Sequence, residues 1–97
     1  MKPNILFIVL DGIQSNKFHG SGKTSITPNI DLLIEKGVYF NQTICQGSCT
    51  TPSIASIMTS LYPFEALVQD DNVFTINPNK RNNIQNFIDN GYTTYAL

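Results

Sequence analysis

Ile5-Leu6-Phe7-Ile8-Val9-Leu10-Asp11-Gly12 is the stretch that decides the fold class. Six apolar residues run without a break and stop at an Asp-Gly pair. A half-buried strand would alternate apolar and polar residues, and an amphipathic helix would repeat every three to four. A short continuous run rich in β-branched residues predicts a strand buried on both faces. Such strands occur mostly in parallel sheets covered by helices.

The elements that follow fit that reading. Residues 12–26 are polar and rich in Gly and Ser, which predicts a loop. Thr27-Pro28 opens a helix, with Thr as cap and Pro as first helical residue. Ile30, Leu33 and Ile34 share its apolar face, and Gly37 supplies a stop. A strand is expected from Val38 toward Ile44, then a loop over 45–50. Thr51-Pro52 repeats the helix start. Ile54, Ile57, Met58 and Leu61 lie on one helical face, and Tyr62-Pro63 ends the helix. Val73 to Ile76 reads as a short strand. Ile84, Phe87 and Ile88 mark a third helix, which Asn90-Gly91 stops. Tyr92 to Leu97 is expected to begin a further strand. This alternation predicts an α/β fold, the N-terminal part of a mostly parallel sheet flanked by helices and incomplete within this chain.

Composition narrows the function. The 97 residues are 41% hydrophobic and 13% charged, which is not a disordered composition. Six basic residues against seven acidic ones leave a net charge of −1. No basic field is available for nucleic acid, so no nucleic-acid partner is expected. Two cysteines are too few for a disulfide scaffold. The longest apolar run is too short for a membrane segment, and no small-residue cleavage site follows it. A cytoplasmic location is the expectation.

Two positions invite chemistry. Asp11 ends a buried strand at its C-terminal edge, where open α/β sheets bind ligands, and its carboxylate suits a divalent metal. The plainer role is a turn with Gly12. Thr50 lies just outside a helix N-terminus, where free N–H groups and the dipole favour phosphate or sulfate. Its hydroxyl is able to attack a bound ester if a metal lowers its pKa. The plainer role is capping, shared with Thr51. Gly20-Ser21-Gly22-Lys23-Thr24 has the look of a phosphate-binding loop, but Lys17 stands where that motif needs glycine. Cys45 and Cys49 lack partners for zinc, and His19 is expected to be a solvated loop residue. Asn41-Gln42-Thr43 fits a glycosylation triplet by chance.

These pieces resemble the N-terminal part of the sulfatase family, within the alkaline-phosphatase-like superfamily. The similar blocks are Lys2 to Asp11, Thr27-Pro28-Asn29-Ile30-Asp31-Leu32-Leu33, Gly37-Val38-Tyr39-Phe40-Asn41, Thr50-Thr51-Pro52-Ser53 and Ser56 to Pro63. Gly91-Tyr92-Thr93-Thr94 matches the next strand entry more weakly. The resemblance implies that residues 1–97 are the N-terminal segment of a sulfatase-like catalytic domain. It implies metal-dependent hydrolysis or transfer of small-molecule or glycan sulfate or phosphate esters. It places Asp11 as a ligand of a divalent metal ion (Ca, Mg, Mn or Zn). It places Thr50 as the nucleophile and a second metal ligand, with N–H groups around Thr51 to Ser53 holding ester oxygens.

The sequence departs from the family in three places. Gly12 replaces a second acidic residue, Ile54 replaces an arginine, and Thr50 stands where Cys or Ser is usual. Threonine cannot mature to formylglycine, and this pattern is similar to phosphodiesterase and phosphotransferase branches. The other family ligands lie farther downstream, so the 97 residues alone are expected to be inactive. The alternative reading is a non-catalytic remnant or interaction module, binding a partner through an open sheet edge.

Overall fold

The computed structural model describes residues 2–96. The chain divides into two compact units, residues 1–43 and 44–97. In the first, a single 3-10 turn at Ser15–Lys17 precedes α1, Pro28–Lys36. In the second, α2 (Thr50–Thr59) and α3 (Pro63–Ala66) lead into β1 (Leu67–Asp70) and β2 (Val73–Ile76). The last helix is α4, Asn83–Asp89.

The α/β character stands, but the sheet differs from expectation. Among the described residues it has two antiparallel strands, with Leu67 opposite Ile76 and Asp70 opposite Val73. Asp71 and Asn72 make the two-residue turn, both at positive φ (42° and 67°), as the twist of a tight hairpin demands. Residues 3–10, 38–44 and 92–96 form no strand; the expected last residue, Leu97, lies outside the described residues. The reason is pairing. A strand exists only when a neighbour accepts its N–H groups and donates to its carbonyls. A continuous apolar run also needs cover on both faces. Neither is present at residues 5–10, where exposure runs from 48% for Val9 to 84% for Leu6.

The helices follow the sequence closely, with informative shifts at their ends. α1 runs from Pro28 to Lys36, between Thr27 and Gly37 as expected, but the Thr27 side chain makes no capping bond and Gly37 is extended (φ −113°) and not left-handed. The Asp31 carboxylate, in its first turn, pairs with Lys23 and accepts from the Thr27 hydroxyl at 3.3 Å. The Lys23 hydrogen bond holds Asp31 below the usual aspartate range, helped by the charges of Lys23 and His19. A carboxylate lowered in the folded state stabilises above its unfolded pKa, and that contribution fades as pH falls through the lowered value. Lys23→Met should therefore move the Asp31 titration, followed by carboxyl NMR, to higher pH. An unmoved titration would contradict the pairing.

α2 ends at Ser60, whose left-handed backbone (φ 60°) stops it before Tyr62-Pro63. Pro63 then opens α3 and is not a terminator. The buried side of α2 is not the expected stripe of large residues. Ala55, Ser56 and Thr59 are buried, while Ile54, Met58 and Leu61 are half-buried and Ile57 remains 45% exposed. Small residues let α2 lie close to α3, and α2 also packs on β2 and α4. The Thr59 hydroxyl donates back to the Ala55 carbonyl at 2.7 Å, and Asn83 Nδ2 donates to the Ile57 carbonyl at 2.8 Å. Ala55 and Ala66 are the fully covered apolar residues among those described. Ala55→Leu forces three extra carbons into that contact and is expected to cost about 1–3 kcal/mol. Denaturant unfolding checks this, and an unchanged midpoint would contradict the close packing.

Candidate functional site

Asp11 and Thr50 fall in different units, and each has its own local geometry. Asp11 is exposed and forms a turn with Gly12, whose φ of 72° suits a residue without Cβ. The Gly12 N–H donates to Asp11 Oδ1 at 2.9 Å. The turn is thus real, and it leaves Oδ2 clear of that contact. One hard carboxylate oxygen is the right donor type for a divalent cation. It is one ligand only. Among the described residues no three His, Cys, Asp or Glu side chains converge on a common point.

Thr50 is the first residue of α2, not a residue outside it. Cys49 occupies the cap position with extended backbone (φ −146°, ψ 175°) and makes no side-chain capping bond. Thr51 is the second helical residue and Pro52 the third, which corrects the expected frame by two residues. The consequence concerns the donors. Pro52 has no N–H, and the Ser53 N–H is spent on the Cys49 carbonyl at 3.2 Å. The N–H groups of Thr50 and Thr51 are the open ones at this helix start, with no acceptor among the described residues. The expected set around Thr51 to Ser53 thus moves to Thr50 and Thr51. The Thr50 hydroxyl makes no hydrogen bond among the described residues, and the side chain is exposed.

Two features near Thr50 had no signal in the sequence. Ser53 Oγ donates to the Gly47 carbonyl at 3.1 Å. Gly47 lies so near the Pro52 ring that a Cβ added there would stand 2.7 Å from Pro52 Cβ. Ser53 stands in the family-like block after Thr50, but nothing in that spacing marks its hydroxyl for Gly47. A glycine in a loop and a serine after proline are common, and only the folded backbone brings them together.

The remaining candidates resolve as follows. His19 is half-buried, its ring 4.1 Å from that of Tyr39 and tilted by 51°, so it is not a solvated loop residue. Lys23, from the Gly-rich loop, is engaged with Asp31. Cys45 and Cys49 are both free thiols on the surface. Among the described residues no helix is long and apolar enough to cross a membrane.

Comparison with known proteins agrees with the sequence blocks. The sulfatase family model matches residues 3–97. The chain is 38% identical over 65 residues to an N-acetylgalactosamine-6-O-sulfatase of Bacteroides thetaiotaomicron, covering 65% of this chain and 12% of that protein. It is 36% identical over 66 residues to human arylsulfatase D, covering 67% and 11%. It is 41% identical over 64 residues to human steryl-sulfatase, covering 64% and 11%. The chain thus spans about an eighth or less of the length of the curated relatives it matches. No solved structure matches it significantly. With the family model covering nearly every residue, the chain belongs to the sulfatase family.

Proposed function

We propose that this chain is the N-terminal segment of a hydrolase of sulfate or phosphate esters, with Thr50 as its nucleophile. The observation that carries the reading is the start of α2. There an exposed, unbonded hydroxyl stands beside two open backbone N–H groups at the positive end of a ten-residue helix. An anionic ester fits such a place, because the N–H groups and the dipole favour its oxygens. In the reaction, Thr50 Oγ gives up its proton and bonds to sulfur or phosphorus. The bond to the alcohol oxygen breaks, and the alcohol leaves with a proton. Water then cleaves the threonyl ester and releases sulfate or phosphate. The Thr50 and Thr51 N–H groups gain strength as negative charge grows on the ester oxygens.

Asp11 is proposed as one ligand of a divalent cation, with Thr50 as a second and the rest supplied from outside the described residues. Such a cation, when bound, supplies positive charge that acidifies a hydroxyl and neutralises an ester oxygen. The names of the relatives favour sulfate esters on sugars, sterols or aryl groups. Threonine at position 50 keeps phosphate esters open, because it acts as a direct hydroxyl nucleophile. Turnover of matched aryl sulfate and aryl phosphate esters by the full-length protein tests the reading. Activity on one class names the substrate, and failure on both with added divalent metals counts against it.

One observation favours a second reading. The apolar run Ile5–Leu10 is exposed and pairs with no strand among the described residues, and an apolar segment of this kind is able to pair with a strand of another chain. A native protein with an intact mass of 10.8 kDa, that of this chain, would favour an interaction module. A much larger mass favours the enzyme.

A further inference from the structure

We infer that Ser53 is a positioning residue for Thr50, acting through a clasp on the loop that leads into α2; this rests on the nucleophile reading above. Thr50 is joined on one side to a helix and on the other to residues 45–49, which form no regular element. A nucleophile must be held within a fraction of an ångström of its line of attack, and an unbonded hydroxyl at such a junction is not held by its own contacts.

Ser53 supplies the restraint from one helical turn away. Its N–H donates to the carbonyl of Cys49, the residue before Thr50. Its Oγ–H donates to the carbonyl of Gly47, three residues before Thr50, at 3.1 Å in a part-buried setting. A serine that merely fills a helix turn bonds the carbonyl four residues back, as Thr59 does to Ala55. Ser53 reaches six back instead, out of the helix and across Thr50. Gly47 closes the clasp from the other side. An added Cβ would lie 2.7 and 2.8 Å from Pro52 Cβ and Cγ and 3.1 Å from the Ser53 nitrogen. The loop therefore sits against the first turn of α2 with no room for a side chain. The two contacts bracket Thr50 and fix the backbone that aims its hydroxyl.

The test uses the full-length protein with matched aryl sulfate and aryl phosphate esters. Ser53→Ala is expected to lower kcat about 10- to 100-fold, with KM changed less than about threefold, since the ester still meets the same N–H groups. Ser53→Thr keeps a hydroxyl and is expected to restore most of the loss. Gly47→Ala approaches the clasp from the other side and is expected to lower kcat similarly. Unaltered kcat in Ser53→Ala, beside a dead Thr50→Ala, overturns the positioning role and leaves the nucleophile reading standing. Full activity in Thr50→Ala, or no turnover by the unaltered protein, overturns both. A second readout covers variants that fold poorly. Amide exchange at position 53, whose N–H is bonded to the Cys49 carbonyl, is expected to quicken in Ser53→Ala after correction for the intrinsic rate, and unchanged protection counts against the clasp.

Discussion

Thr50→Ala in the full-length protein is expected to lower kcat for ester hydrolysis by at least about a thousandfold, as loss of a covalent nucleophile does. Stability should hardly move. Thr50 is exposed and its hydroxyl bonds nothing among the described residues, so the change falls in the class of surface substitutions worth within about 0.5 kcal/mol. The separation of the two effects is the useful part. A capping threonine would show the reverse, with a weaker helix and intact chemistry. The cap of α2 is Cys49, which makes no side-chain bond, so capping does not explain Thr50. Thr50→Ser keeps the hydroxyl and is expected to retain much of the rate. Steady-state kinetics beside a denaturant melt checks all three statements.

Asp11→Asn is expected to weaken divalent-cation binding by the full-length protein at least about 100-fold, because it removes the charge of a hard oxygen ligand. The substitution is chosen to spare the fold. An asparagine Oδ1 still accepts from the Gly12 N–H, so the turn at φ 72° persists. Calorimetric titration of calcium, magnesium, manganese and zinc into metal-stripped protein reads the effect and names the metal. Unchanged affinity would reduce Asp11 to the turn residue that its local geometry already accounts for.

Local features of this chain were legible in the sequence because they depend on neighbours a few residues away. Thr27-Pro28 and Gly37 bound α1 as expected, and Ile84, Phe87 and Ile88 marked α4. The short strand at Val73–Ile76 was legible too, although its partner at Leu67–Asp70 was not. Leu67-Val68-Gln69-Asp70 is too short and too mixed to announce itself without the hairpin. What failed was everything that depends on distant partners. Ile5–Leu10 reads as a central strand, yet it has no ladder and no cover among the described residues. The same logic applies to α2, whose large residues point to a core while the packed side is Ala55, Ser56 and Thr59.

The candidate site shows the same division. Asp11 and Thr50 were visible as residue types at two expected punctuation points; the helix start at Thr50 is present, while the strand expected before Asp11 is not formed. The exact helix frame was not visible, because Thr51-Pro52 mimics a cap and first turn while the backbone begins the helix one residue before Thr51. That shift decides which N–H groups are open at the helix start. The link between Ser53 and Gly47 lay beyond sequence reading altogether, since six residues separate an ordinary serine hydroxyl from a backbone carbonyl that only the loop brings to it.

The most direct test of the account is to trap the covalent intermediate. The full-length protein is incubated with an ester substrate, quenched in acid during turnover, digested and read by mass spectrometry. The account predicts that the peptide spanning Cys49 to Ser53 gains the mass of one sulfuryl or phosphoryl group, carried on Thr50 and absent from Thr50→Ala. Steady turnover with the group on Cys49, on Ser53 or on no residue of this chain would contradict it.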